Sequence, residues 1–222
     1  MICADSRART GETGEACAVT VRGLQRSWCL QADLRQYDVP AAPDITGITA
    51  VACRSSIEAG IQCNGVMIQI PRDEISKFDE REVGYSRVEL KQEDVDWLAK
   101  RTSAASPGEK MWVYVLPDSA GKPADADFPL LQSYVDVIML GCSLVEEQAE
   151  AGVQNFATDF VLTTDGWPDE SARAWVDDRL RPGYPRSDEE AMAKGREVFD
   201  SVLEHLIPAA FAGRYSIASS PQ

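Results

Sequence analysis

The chain has 222 residues, 44% of them apolar and 26% charged, with a net charge of −14. That length suits one good-sized domain, or one domain plus an extension, and the acidic surplus without any basic block argues against nucleic acid and against an anionic membrane surface. No window reaches the ~18 uninterrupted apolar residues of a spanning helix, and the opening Met-Ile-Cys-Ala-Asp-Ser-Arg lacks the apolar core of a signal peptide.

Residues 1–15 are polar and rich in Gly and Thr, and irregular structure is expected there. Alternation over 17–23 predicts a strand. Trp28 closes that region, and a second irregular run extends through Pro40 and Pro43. A strand follows over 45–53, with Gly47 inside it. Residues 54–62 read as a loop, and 63–70 as the clearest strand of the chain. Pro71, Ile75 and Phe78 lie at helical spacing, so a short helix is expected over 71–82. Residues 85–90 alternate as a strand, with Gly84 to turn the corner. A helical turn is expected within 91–100, on Val95, Leu98 and Ala99. A loop around Pro107-Gly108 precedes the β-rich run Met-Trp-Val-Tyr-Val-Leu at 111–116.

At Pro117 the composition changes. Residues 118–127 form a polar linker, and the chain beyond Pro129 reads as helical. The run 130–150 is apolar almost all round as far as Val145, as a buried helix is. Val153, Phe156, Ala157, Phe160 and Val161 keep the spacing of a second helix. Asp165-Gly166-Trp167-Pro168 stops that helix and opens a short one through Trp175 and Val176. The stretch 179–186 is a loop rich in Pro, Gly and Tyr, and Trp167, Trp175 and Tyr184 are expected to pin it by ring burial. Ser187 or Asp188 caps a last helix running to His205. Residues 213–222 are expected to fray. Strands followed by helices indicate an α+β protein. The domains expected are a strand-rich part over 1–117, a linker over 118–128 and a helical extension over 129–212 packed on it.

Six cysteines occur, Cys3, Cys17, Cys29, Cys53, Cys63 and Cys142, with no Cys-x-x-Cys pair. Zinc spacing is absent. Most of them read as buried thiols in a reducing compartment, the cytoplasm or an organelle such as a plastid, with a disulfide involving Cys3 or Cys29 left open. The single histidine, His205, lies beside the apolar stripe of a helix with no nucleophile motif near it. Metal and histidine-based chemistry are therefore not expected, nor is a cofactor, since no glycine-rich phosphate loop occurs.

The sharpest stretch is Phe78-Asp79-Glu80-Arg81-Glu82-Val83-Gly84-Tyr85-Ser86-Arg87-Val88. Glu82 falls where a helix gives way to a strand, and a carboxylate there can be aimed into a cavity to move protons. The plainer alternative is a surface charge cluster with Arg81. The run resembles the signature of the γ-glutamylcyclotransferase-like family, in which a Leu/Phe-Asp-x-Arg/Gln-Glu segment ends in the catalytic Glu and a Tyr-x-Arg follows. Gly23-Leu24-Gln25-Arg26-Ser27-Trp28 and Cys63-Asn64-Gly65-Val66-Met67 resemble that family's second-strand exit and its central strand. The similarity spans about residues 17–116, and the three motifs stand in the family's order.

The resemblance implies a small mixed β-barrel with helices outside it, here carrying a C-terminal helical extension. It implies a metal-free, cofactor-free reaction in which a substrate's own α-amine attacks its γ-glutamyl carbonyl, giving 5-oxoproline and a released amine. Glu82 would be the general acid and base, Tyr114 a candidate to orient substrate, and Asn64, Gly65 and Tyr85 substrate-binding residues. The family also opens with a strand and a Tyr-Gly-Ser-Leu loop that holds the substrate glutamate, and neither is found in this chain. Two functions are therefore expected as alternatives. One is a cyclotransferase acting on a small γ-glutamyl molecule. The other is a catalytically impaired domain serving as a structural or interaction subunit, with a protein partner at an exposed barrel edge or on the helices of 130–206.

Overall fold

The computed structural model describes residues 14–33, 46–100, 109–148, 153–184 and 186–216. Helix and strand take nearly equal shares, 33% and 31%, so the protein is mixed α+β. The irregular runs expected at 1–13 and up to Pro43, and most of the loop around Pro107-Gly108, lie outside the described residues.

Eleven strands and six α-helices are described. Strand β1 is Ala16–Arg22 and β2 is Leu24–Asp33, with only Gly23 between them. The region thus continues through Trp28 rather than closing there. Leu24, Arg26 and Trp28 are all buried at alternate positions. The inward Arg26 breaks the apolar alternation by which a strand is recognised. Strand β3 is Gly47–Ser55, β4 is Gln62–Ile68, helix α1 is Ile75–Arg81 and β5 is Ser86–Leu90. Gly84 sits at φ 93°, a left-handed conformation that favours glycine, and turns the chain from α1 into β5.

The helical turn expected at 91–100 is only partly present. A 3₁₀ turn covers Gln92–Asp94, and strand β6, Val95–Trp97, follows. Val95 is buried and Asp96 exposed, a period of two, and β6 pairs with β1 from Val21↔Val95 to Val19↔Trp97. The ladder partner thus decides the conformation of a segment too short to show its own periodicity. Strand β7 is Met111–Val115.

After β8, Leu130–Leu131, the long helix α2 spans Gln132–Gln148 and is buried on nearly every side through its first three turns, as its composition requires. Helix α3 is Phe156–Leu162 and β9 is Thr164–Asp165. The short helix expected through Trp175 and Val176 is instead strand β10, Trp175–Asp177. Its partners are parallel, Leu130–Leu131 on one side and strand β11, Tyr215–Ser216, on the other. Residues 215 and 216 are therefore held in a sheet where fraying was expected. The last helix starts as expected at Asp188, whose side chain accepts a hydrogen bond from Ala191 N at 2.9 Å. It runs as α4, Glu189–Lys194, a π turn over Gly195–Phe199, and α5, Asp200–Leu206. Helix α6, Pro208–Ala212, follows.

The strands form four small sheets, ordered β4-β1-β6, β5-β7, β3-β2-β9 and β11-β10-β8. No closed barrel is found among the described residues. The chain folds as two compact units. One comprises Met1–Arg26, Cys53–Ser119 and Gly141–Thr163, the other Ser27–Ala52, Ala120–Leu140 and Thr164–Gln222. Each unit draws on both sides of the stretch 118–128.

The first unit has an aliphatic core of Val19, Val21, Leu24, Cys63, Val95 and Val115, against which β5, β6 and β7 place Val88, Trp97 and Val113. Helix α3 belongs to this unit and is tied to β4 where Asn64 Nδ2 donates to Phe156 O at 2.7 Å. The second unit has an aromatic core. Trp28 lies 5.1 Å from Trp167 and 5.8 Å from Tyr134, Trp167 lies 5.3 Å from Trp175, and Tyr134 lies 4.5 Å from Tyr184. Trp167, Trp175 and Tyr184 thus pack by their rings as expected. In this unit the linker is bound to β2, since Gln31 Nε2 donates to Pro123 O and Asp125 Oδ2.

Candidate functional site

The β5–β7 ladder sets Arg87 opposite Tyr114 and Glu89 opposite Trp112. Residues opposite each other project from the same face. Helix α1 brings Asp79 to the Arg87/Tyr114 pair. Tyr114 Oη donates to Asp79 Oδ1 at 2.7 Å, and Arg87 Nη1 lies 3.0 Å from Asp79 Oδ2. The Arg87 guanidinium also covers the Trp112 ring at 4.8 Å. Partial burial and the Asp79 carboxylate push the Tyr114 phenol up to about 12. The hydroxyl therefore stays protonated and acts as a donor through the physiological range.

Glu82 is the C-cap of α1, where its backbone N–H donates to Phe78 O at 3.0 Å. It stands at the helix-to-strand junction, as the sequence implies, with its side chain 22% exposed. Its carboxylate was expected to be aimed into a cavity and clear of Arg81. Instead Glu82 Oε1 lies 3.5 Å from Arg81 Nε. A hollow of about 440 Å³ lies beside β5 and β7, lined by Glu89, Lys91, Glu109, Lys110 and Met111 among others, and Glu82 is not part of it. Tyr85 is half-buried and closes the turn after α1 by donating its N–H to Glu82 O at 3.1 Å.

Asn64 lies elsewhere in the unit and is buried. Its Oδ1 accepts from Arg26 Nη2 at 2.8 Å, its own carbonyl accepts from Arg26 Nη1 at 2.6 Å, and its amide donates to Phe156 O. Arg26 donates further to Phe160 O and Thr163 Oγ1 and stacks 4.2 Å over the Phe160 ring. Gly65 follows in the β1–β4 ladder opposite Val19, with open space where a Cβ would stand. Of the five residues singled out from the sequence, Glu82 and Tyr85 are neighbours in one turn. Tyr114 is joined to that segment through Asp79. Asn64 and Gly65 stand apart from these on β4, Asn64 buried and Gly65 beside open space.

Sequence reasoning missed Arg26, whose only signal is a charge at an inward position of a strand. It also missed a buried ionic network in the second unit. There Arg179 Nε and Nη2 donate to Asp136 at 2.7 and 2.8 Å, and its Nη1 and Nη2 donate to Asp200 at 2.9 and 2.8 Å. Arg214 donates to both Asp200 oxygens and to Gln132 Oε1. Burial raises the Asp200 carboxyl, but the bonds from Arg179 and Arg214 outweigh it and hold the group below its ordinary range. Beside the network, Asp178 accepts from Ser133 N, Ser133 Oγ and Gly183 N. Every charge in this network has a partner, so it reads as internal bracing rather than a reactive centre. Among the described residues no group of three or more His, Cys, Asp or Glu could hold a metal ion, and no helix is long and apolar enough to cross a membrane.

Compared with the known protein families the chain matches none, and no curated protein matches it.

Proposed function

We propose that this chain is a γ-glutamylcyclotransferase-like protein that cleaves a γ-glutamyl amide to 5-oxoproline and a free amine, with Glu82 moving the proton. The reading is carried by the meeting of Asp79, Arg87 and Tyr114. Two of these belong to the run that resembles the family signature and the third is the aromatic of the last strand of its barrel. Their bonds brace the end of α1, and Glu82 is the residue that caps that end. The ion pair with Arg81 is an obstacle. Solvent-exposed pairs are worth about 0.2–1 kcal/mol, and this partly buried one is a long contact at 3.5 Å that substrate has to open. In the reaction Glu82 would take a proton from the substrate ammonium. The freed amine attacks the γ-carbonyl carbon within the same molecule, and the proton passes to the departing nitrogen.

A second reading, a structural or interaction subunit without turnover, draws on Asn64. Freeing its side chain would break two buried bonds, one of them to a guanidinium, and such charge-assisted bonds are worth about 1.5–3 kcal/mol each. That leaves Gly65 and Tyr85 as the remaining substrate contacts of the first reading. Release of 5-oxoproline from glutathione and from γ-glutamyl-alanine distinguishes the two. Turnover that falls roughly 10²–10⁴-fold in Glu82→Gln supports the cyclotransferase. No turnover in either chain favours the subunit, and equal rates in both would take the proton transfer away from Glu82.

A further inference from the structure

Strand β5 is the outer edge of its sheet. It pairs with β7 from Ser86↔Val115 to Leu90↔Met111, and that sheet has two strands. Just beyond β7 the chain joins the rest of the unit, where Leu116 N donates to Cys53 O of β3 at 2.7 Å. Among the described residues no backbone bond reaches the other side of β5. Such an edge leaves N–H and C=O groups ready to pair with another strand, and chains usually blunt it with Pro, Lys or a bulge. Ser86–Leu90 contains neither Pro nor Lys, and its register with β7 runs without a bulge.

The two faces of β5 differ. Val88 and Leu90 pack with Val113 and Met111 against the aliphatic core. Arg87 and Glu89 stand on the opposite face, with side chains 30% and 47% exposed. Each has a partner within the chain, Arg87 at 3.0 Å from Asp79 and Glu89 at 2.9 Å from Lys110. A guanidinium and a carboxylate each bind more than one group at a time, so these contacts leave both able to take another. The opposite charges flank Val88, one on either side along the strand.

We propose that β5 is the contact strand of a homodimer, in which two copies of the chain pair β5 edge to edge, antiparallel, about a two-fold axis at Val88. In that register Val88 faces Val88 of the second copy, Arg87 faces Glu89 of the second copy, and Glu89 faces Arg87 of the second copy. Opposite charges directly across an antiparallel pair stabilise it, and like charges destabilise it. The charges then alternate in sign across the junction: Lys110, Glu89, Arg87 of the second copy, Asp79 of the second copy. A slip of one residue would set the charged face of one copy against the apolar face of the other. A slip of two would set Arg87 against Arg87 or Glu89 against Glu89. The contact uses the same surface on both copies, so it closes at two. Five paired residues make a small interface, so the dimer forms at high concentration and dissociates on dilution.

The full chain is followed by sedimentation equilibrium across a dilution series. Its mass is expected to rise with concentration from 24.3 kDa toward twice that value. Amide hydrogen exchange at 86–90, which needs no variant, is expected to slow at the concentrated end. Arg87→Glu alone sets carboxylates against each other across the junction, and Glu89→Arg alone sets guanidinium groups against each other. Each is expected to stay monomeric where the unsubstituted chain is dimeric. Mixed in equal amounts, the two variants are expected to dimerise with each other, because every cross-strand pair is then of opposite charge. The proposal is overturned if the unsubstituted chain is monomeric at every concentration, which would leave the edge to a different chain. It is also overturned if the dimer survives either single substitution, if the folded variants stay apart when mixed, or if exchange at 86–90 does not depend on concentration.

Discussion

At the scale of single residues, Tyr114 gives the clearest electrostatic signature of the candidate site. Its phenol is pushed up to about 12 by partial burial and by the Asp79 carboxylate. The folded-state value lies above the ordinary one near 10, so the bond to Asp79 holds in full below pH 10 and is lost as pH rises toward 12. Alkaline absorbance titration should show a late-ionising component to which Tyr114 contributes. Tyr114→Phe should reduce that component by one tyrosine. Six tyrosines titrating together near pH 10 would mean that the Asp79 contact does not persist in solution. The sequence made Tyr114 visible as an aromatic of the β-rich run 111–116. Its partner could not be read there, because 35 residues separate Tyr114 from Asp79 and only the β5–β7 register with α1 above it brings them together.

At the scale of elements, the long patterns were legible and the short ones were not. Helix α2 is apolar nearly all round and β1 alternates from Val19 to Arg22, and each has enough length for its pattern to show. Strands β6 and β10 have three residues each, and their conformation comes from the ladders they join. The π turn at Gly195–Phe199 is a further case. A Cβ on Gly195 would lie 2.5 Å from Asp136 Oδ1 and 2.6 Å from Arg179 Nη2. Both atoms are locked in the ionic network, so neither can yield cheaply. Helix propensity alone predicts that Gly195→Ala stabilises by about 1 kcal/mol. The close packing predicts the opposite, a loss of about 1–3 kcal/mol, read as a lower urea midpoint at unchanged slope. A raised midpoint would show that the helix does not press on the ion pair.

At the scale of the whole molecule, two units are braced by different means, an aliphatic core in one and aromatic rings with a buried ionic network in the other. The α+β class was legible because strand-like runs precede helix-like ones. The network was not, since Asp136, Arg179, Asp200 and Arg214 lie on four separate segments and each alone reads as a surface charge. Arg179→Met should cost about 3–5 kcal/mol because it strands Asp136 in the interior, and adding Asp136→Leu should restore much of that loss. A single substitution without effect on the denaturation midpoint would place the pair in solvent instead. In the first unit the question is whether Glu82 can leave Arg81. The most direct measurement is 5-oxoproline release from γ-glutamyl-alanine by the unsubstituted chain, Arg81→Ala and Glu82→Gln, side by side. Turnover kept in Arg81→Ala and lost in Glu82→Gln is the predicted result, whereas turnover that survives Glu82→Gln would contradict it.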